Sequence, residues 1–269
     1  MTMNHEATIR VSASGQTAQI ILSRSDVHNA FNDEMIAELT AAISDLGGRD
    51  GVRAVVVSGA GKSFCAGADV NWMKRMVGYS LEENVADAKT LANMLRAIRD
   101  CPLPVIASVH GNCLGGGVGL VAAADMAVAL ESAVFGLTEA RLGIIPAVIS
   151  PFLLRKIGPG HARRYFLTAE RYGAAEAHRI GLVSHVAATP ADAETWIGQV
   201  VGEIALNGPQ AVAAAKALID KVLGCPSSDV ADLTSRLIAE RRVSPEGQEG
   251  LNSFLQKRRP DWVSSSRSP

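Results

Sequence analysis

Two glycine-bearing turns, each closing an apolar strand, constrain the fold of this chain more than any other feature. The first is Ser58-Gly59-Ala60-Gly61-Lys62-Ser63-Phe64-Cys65-Ala66-Gly67-Ala68-Asp69, after the apolar stretch 53–58. The second is His110-Gly111-Asn112-Cys113-Leu114-Gly115-Gly116-Gly117, after the apolar stretch 105–109 and before the apolar run 118–124. Neither is a phosphate loop of the G-x-x-x-x-G-K-[ST] type, because no glycine stands five residues before Gly61. Nor does Gly115-Gly116-Gly117-Val118-Gly119 have the spacing of a dinucleotide fingerprint. Three consecutive glycines opening a helix offer bare backbone N–H groups at the positive end of a helix dipole, which favours an anion. If the N–H groups of Ala66 and Gly116 converge on one oxygen, they form an oxyanion hole. Tight packing of helix on strand is the alternative use of such glycines.

The surrounding pattern is that of an α/β core. Residues 7–11 and 17–22 flank Ser14-Gly15-Gln16 and predict an antiparallel hairpin. Asn32-Asp33-Glu34 signals a helix start, and Met35, Ile36, Leu39, Ile43 and Leu46 recur at helical spacing until Gly47-Gly48. A helix over 81–100 and strands over 105–109 and 125–130 follow, a succession that packs helices on a sheet. Beyond residue 150 the pattern is helical, with predicted helices over 160–167, 174–180, 190–206, 209–223, 230–242 and 245–258. Gly208-Pro209, Gly224 and Ser244-Pro245 act as breakers. The expected organisation is a core over residues 1–200 and a C-terminal helical segment over 201–269, ending in a Ser-rich tail from Ser264 to Pro269.

Charge and cysteine content remove several function classes. The 269 residues carry a net charge of −1, with no basic face of the kind nucleic acid requires. Lys257-Arg258-Arg259 and Arg163-Arg164 read as solvated helix surface, with a phosphate contact as the alternative. The cysteines Cys65, Cys101, Cys113 and Cys225 have no C-x-x-C spacing and no metal-ligand spacing with histidine, so reduced thiols and no metal are expected. No secretion signal and no run of about 18 apolar residues occurs. The expected location is cytoplasmic, away from the membrane.

A third element is Phe135-Gly136-Leu137-Thr138-Glu139-Ala140-Arg141-Leu142-Gly143-Ile144-Ile145-Pro146. A carboxylate among apolar neighbours can have a raised pKa and act as general acid or base; a solvent-facing Glu139 or a Glu139–Arg141 pair is the plainer reading.

The order and spacing of the three elements resemble the enoyl-CoA hydratase/isomerase, or crotonase, superfamily. Asn29-Ala30-Phe31-Asn32 looks like its N-A-L-N segment, Phe64-Cys65-Ala66-Gly67-Ala68-Asp69 like its F-x-A-G-A-D loop, and Gly115-Gly116-Gly117 like its G-G-G turn. The resemblance covers nearly the whole chain. It implies a spiral core of ββα turns with C-terminal helices, and a homo-oligomer, trimer or hexamer as a dimer of trimers. It implies an acyl-CoA substrate, no cofactor apart from the coenzyme A of that substrate, and oxyanion donors at Ala66 and Gly116. Val27, His28, Gly67, Ala68, Asp69, Gly115 and Gly119 would lie along the CoA thioester, and residues 71–84 would help line the acyl pocket.

Two departures stand out. Family hydratases carry two glutamates; the later one matches Glu139, whereas the earlier one falls on Gly119. After Pro146, the usual glycine-rich run is replaced by Ala147-Val148-Ile149-Ser150-Pro151. With Arg163-Arg164 and Val243-Ser244-Pro245-Glu246-Gly247, these departures are similar to bacterial 3-methylglutaconyl-CoA and γ-carboxygeranoyl-CoA hydratases. The resemblance implies reversible hydration of a 2,3-unsaturated acyl-CoA in leucine breakdown, with Glu139 as acid–base group and the space at Gly119 filled by solvent or substrate. A substrate bearing its own distal carboxylate would meet no second glutamate to repel it. A Δ3,Δ2-enoyl-CoA isomerase using one glutamate is the rival reading, and a non-catalytic acyl-CoA-binding or RNA-binding relative is a third.

Overall fold

The computed structural model describes residues 7–263; the Ser-rich tail falls outside them. The predicted hairpin forms as β1 (Ile9–Ser14) and β2 (Thr17–Leu22), paired antiparallel with Ser14 opposite Thr17. Strands β3 (Ala54–Gly59), β4 (Val105–Val109), β6 (Met126–Leu130) and β9 (His185–Ala187) add in parallel, giving a six-stranded sheet in the order β1-β2-β3-β4-β6-β9. Three short strands, β5 (Asn112–Leu114), β7 (Val134–Gly136) and β8 (Arg171–Gly173), form a second sheet.

The larger sheet is covered on both faces at its centre, which explains why β3, β4 and β6 are near-continuously apolar, whereas β1 is mostly exposed and β2 alternates. Val55, Val57, Val105, Ala107 and Val109 point into the main core. Ala54, Val56 and Ile106 point the other way, against Val201 and Trp196 of α7 (Pro190–Ala205). On the main-core side lie α1 (Asp33–Gly47), α3 (Leu81–Asp100) and α4 (Gly116–Ala123). The predicted stripe of α1, Met35, Ile36, Leu39, Ile43 and Leu46, is its buried set, and Asn32 caps it by accepting a hydrogen bond from Met35 N at 2.9 Å. Helix α3 starts on a capping box in which Ser80 and Glu83 satisfy each other's backbone N–H. Helix α4 is buried from Gly117 to Ala123, so it has no polar face to present.

Between β3 and α3 the chain forms a short α2 (Val70–Met76), and α6 (Ala174–Arg179) leads towards β9. Helix α5 (Ser150–Thr168) begins ten residues before its predicted start and is kinked where Gly158 takes φ +69° ahead of Pro159. Proline cannot donate within the helix, and glycine accepts the left-handed φ without strain. Helices α8 (Pro209–Leu223), α9 (Val230–Val243) and α10 (Pro245–Leu255) bury little, Ser253 being their one fully enclosed residue. Polar anchors hold the first of them: Lys216 Nζ donates to Asp125 Oδ2 at 2.7 Å and to Leu103 O at 3.1 Å. Among the described residues, no helix is long and apolar enough to cross a membrane.

Candidate active site

The two glycine-bearing turns are laced together by backbone hydrogen bonds. Phe64 N donates to His110 O at 2.9 Å, Cys65 N to Asn112 O at 3.1 Å, and Leu114 N to Cys65 O at 2.9 Å. The lacing runs on to the point where the turns touch. A Cβ built on Gly67, whose φ is +93°, would stand 3.1 Å from Leu114 O and 3.8 Å from Gly115 Cα. A side chain at Gly67 would be strained and would push the turns apart.

The turn before α1 completes the frame. Asn29 Nδ2 donates to Ala60 O at 2.8 Å and Ser63 O at 2.7 Å, and His28 Nδ1 lies 3.0 Å from Ser63 Oγ. Val27 ends a 3-10 turn, Ser25–Val27, and His28 is exposed beside it. Phe31 N donates to Gly67 O at 2.7 Å, and Asp69 N to Phe31 O at 2.8 Å. These two bonds make a parallel bridge, and successive amides of an extended segment point to opposite sides. The Ala68 N–H is therefore turned away from Phe31, and it has no acceptor among the described residues.

This geometry corrects the expected donor pair. The Ala66 N–H is spent on His28 O at 3.0 Å and could serve an incoming oxygen only by giving up that bond. Of the amides of the two turns, those of Ala68 and, at the start of α4, Gly116 have no acceptor among the described residues; Gly67 and Gly117 are two more. Asp69 is also accounted for. Its Oδ1 accepts from Asn71 N at 2.7 Å and caps α2, while its Oδ2 pairs with Arg24 Nη2 at 2.8 Å. Burial pushes its carboxyl up, but hydrogen bonds from Arg24 and from the α2 backbone, with the Arg24 charge, together outweigh it and hold the group below the usual range. Arg24, through Asp69 and the carbonyl of Ala30, fixes the loop; no motif in the sequence pointed to it.

Glu139 reaches this place through the small sheet. Leu114 pairs with Gly136 in β5–β7, Gly115 N donates to Gly136 O at 2.9 Å, and the chain then enters the 3-10 turn Glu139–Leu142. A Cβ on Gly115 would lie 3.4 Å from Glu139 Oε1 and 3.8 Å from Gly67 Cα, so the carboxylate stands where the two turns meet. Its Oε2 is buried with no hydrogen-bond partner, and burial raises its pKa above the ordinary carboxylate value. Arg141 is exposed, and no ion pair joins it to Glu139 among the described residues.

Gly119 is a second correction. A Cβ there would fall on the Cγ2 methyl of Ile149, inside contact distance, and 3.6 Å from Leu95 Cδ1. The place where an α4 carboxylate would begin is filled by protein, by neither solvent nor substrate. Sequence reasoning noted the altered run after Pro146 without seeing that Ile149 and Gly119 are partners. The expected acyl-pocket stretch 71–84 supplies α2, with Trp72 buried and its Nε1 donating to Asp87 Oδ1 at 2.9 Å. Among the described residues, no group of three or more His, Cys, Asp or Glu side chains is placed to hold a metal ion.

A family model described as enoyl-CoA hydratase/isomerase matches residues 12–265. The fold is similar to that of an enoyl-CoA hydratase from Shewanella pealeana, with 38% identity, TM-score 0.91, and 95% of this chain and 96% of that one covered. It is similar to AtuE of Pseudomonas aeruginosa, with 35% identity, TM-score 0.91, and 96% and 100% covered. The sequence is 30% identical to a short-chain-enoyl-CoA hydratase of Clostridium acetobutylicum over 251 residues, 91% of this chain and 93% of the relative.

Proposed function

We propose that this chain, which belongs to the enoyl-CoA hydratase/isomerase family and has its α/β fold, adds water reversibly across the 2,3 double bond of an acyl-CoA through one acid–base group, Glu139. The observation that carries the reading is the buried, unpartnered Glu139 Oε2, on a carboxylate that stands where the two turns meet and where the Ala68 and Gly116 amides are unspent. A buried carboxylate without a partner costs stability, and such groups are characteristic of sites that use them.

The thioester oxygen would accept from the N–H groups of Ala68 and Gly116, the latter at the positive end of α4. As charge moves onto that oxygen, C3 becomes electrophilic. Glu139 takes a proton from water while its oxygen bonds to C3, and the enolate forms. The same carboxyl then returns the proton to C2, so that hydroxyl and hydrogen are added and Glu139 ends as it began. Its raised pKa suits both halves: a stronger base towards water, and an acid still able to give the proton back.

Within this reading, the turn at Val27 and His28 and the Gly67–Ala68 loop lie along the coenzyme A. The substrate is 3-methylglutaconyl-CoA, as the resemblance of the 146–151 and 243–247 segments suggests; a site with one carboxylate suits a substrate that brings another. The protein is cytoplasmic and works as a trimer or hexamer. Support for assembly is a groove of about 780 Å³ between α8 and α9, lined by Ala211, Ala214, Ala215, Leu218 and Ile238. The isomerase reading is favoured by one feature, the filled position at Gly119, since moving a proton between C2 and C4 needs one carboxylate and no water. Incubating the purified protein with crotonyl-, 3-methylcrotonyl-, 3-methylglutaconyl- and 3-enoyl-CoA and weighing the products decides: hydration adds the mass of one water, whereas isomerisation leaves the mass unchanged.

A further inference from the structure

Three residues along α4 from Gly116, helical periodicity brings Gly119 back to nearly the same face. A side chain at Gly119 would thus leave α4 about 60° round the axis from Gly116, one turn along from the end whose first amide is free. That direction is closed by Ile149, itself 2% exposed, whose Cβ would lie 3.1 Å from a Gly119 Cβ and whose Cγ2 would lie closer still. The backbone of Ile149, and with it the Cβ that lies 3.1 Å from a Gly119 Cβ, is held in place. It is the N-cap residue of α5: Phe152 N and Leu153 N donate to its carbonyl at 3.2 and 3.1 Å, and Ser150 N and Oγ both donate to Ala147 O. Leu95 of α3 backs the same spot. A branched side chain whose backbone is anchored at the first turn of one helix therefore occupies the space beside a glycine in another.

We infer that Ile149 is a specificity-determining residue that limits this site to one carboxylate, by filling the space through which a second acid–base side chain from position 119 would have to pass. The pair is reciprocal. With Ile149 present, Gly119 is the residue α4 can accommodate; without Ile149, the position could take a longer side chain. Both proton transfers then fall to Glu139, and the pH dependence of kcat/KM has one ascending limb, set by ionisation of that group. A site with two carboxylates, one needed ionised and one protonated, would give a bell. This last consequence rests on the proposed function; the packing argument does not.

The test uses the full-length chain and four variants: G119A, I149A, G119A/I149A and G119E/I149G. Thermal melts of the native chain and the first three variants form a double-mutant cycle. G119A should lower Tm by several degrees in the native background and by much less when Ile149 is already Ala, because the added methyl then has room. Equal losses in both backgrounds would overturn the pairing. For the chemistry, G119E/I149G should change the single ascending limb of kcat/KM into a bell, while I149A keeps the single limb. A double variant that is folded by circular dichroism, turns over and still shows one limb would overturn the assignment of Ile149 as the residue excluding a second carboxylate. If the native protein turns over none of the thioesters, the proposed function fails, and the melting cycle still decides the pairing.

Discussion

Replacing single backbone amides by esters separates the two alanines of the first turn. An α-hydroxy acid incorporated at position 68 or 66 exchanges N–H for oxygen and leaves the methyl side chain in place. At position 68 the lost N–H has no protein acceptor, and the one fold-supporting bond touched is Phe31 N to Gly67 O at 2.7 Å, whose acceptor becomes a weaker ester carbonyl, so stability should fall by about 1 kcal/mol or less. If this amide holds the thioester oxygen, its loss removes one preorganised donor, a change worth about 2.7–4 kcal/mol of barrier, and kcat should fall roughly 10²–10³-fold. At position 66 the balance reverses. The N–H donates to His28 O at 3.0 Å in a bond that ties the turn before α1 to the loop, so an ester sets two oxygens face to face. The expected cost is about 1–3 kcal/mol of stability, which lowers Tm by about 2–4 °C per kcal/mol for a chain of this size. Turnover at a temperature where the variant is folded should change much less than for the ester at 68. Melts followed by circular dichroism and steady-state hydration kinetics on both esters give the readouts. A fall in kcat of two orders or more at position 66 together with native kcat at position 68 would refute the assignment of the free amide to Ala68.

Glu139→Gln should cut turnover about 10²–10⁴-fold, as measured by hydration kinetics. It should also melt at or above the native temperature near neutral pH. Burial raises the Glu139 pKa above its ordinary 4.5, so ionising it costs the fold; that cost is absent below about pH 4.5 and grows until pH passes the raised value, so the melting difference should vanish in acid. A variant less stable than the native protein at neutral pH would refute this. Lys216→Met keeps the aliphatic stem but removes the donor to Asp125, Ile98 and Leu103, and the pair is only 12% and 26% exposed. We expect a loss of about 2–4 kcal/mol and a Tm lower by about 5–10 °C; a native melting curve would show that α8 does not depend on this anchor.

Local signals were enough for much of the architecture. The stripe of α1 and its Asn32 cap, the bounds of α3, and the proline starts of α7, α8 and α10 all depend on side chains within a turn or two of each other, so periodicity and breakers disclose them. The small sheet escaped, because β5, β7 and β8 have three residues each, too few for an alternating pattern to register. The first half of α5 escaped as well: the expected helix over 160–167 matches the part after the kink, whereas the turns before Gly158, which is itself non-helical at φ +69°, carried no start signal of their own.

At the candidate site, the sequence by itself determined the chemical inventory: two glycine turns at strand ends, one glutamate in an apolar segment, and a glycine at the position where the family resemblance implies a second glutamate. Only the tertiary structure decided how that inventory is spent. Whether the Ala66 or the Ala68 amide is free depends on His28 and Phe31, far upstream, because a backbone donor is available only where no distant carbonyl has claimed it. Whether Gly119 opens a space or closes one depends on Ile149, which α5 delivers from the other side of the core. Both outcomes follow from close packing: an amide or a cavity is defined by what is pressed against it, and that is written in no single stretch of the chain.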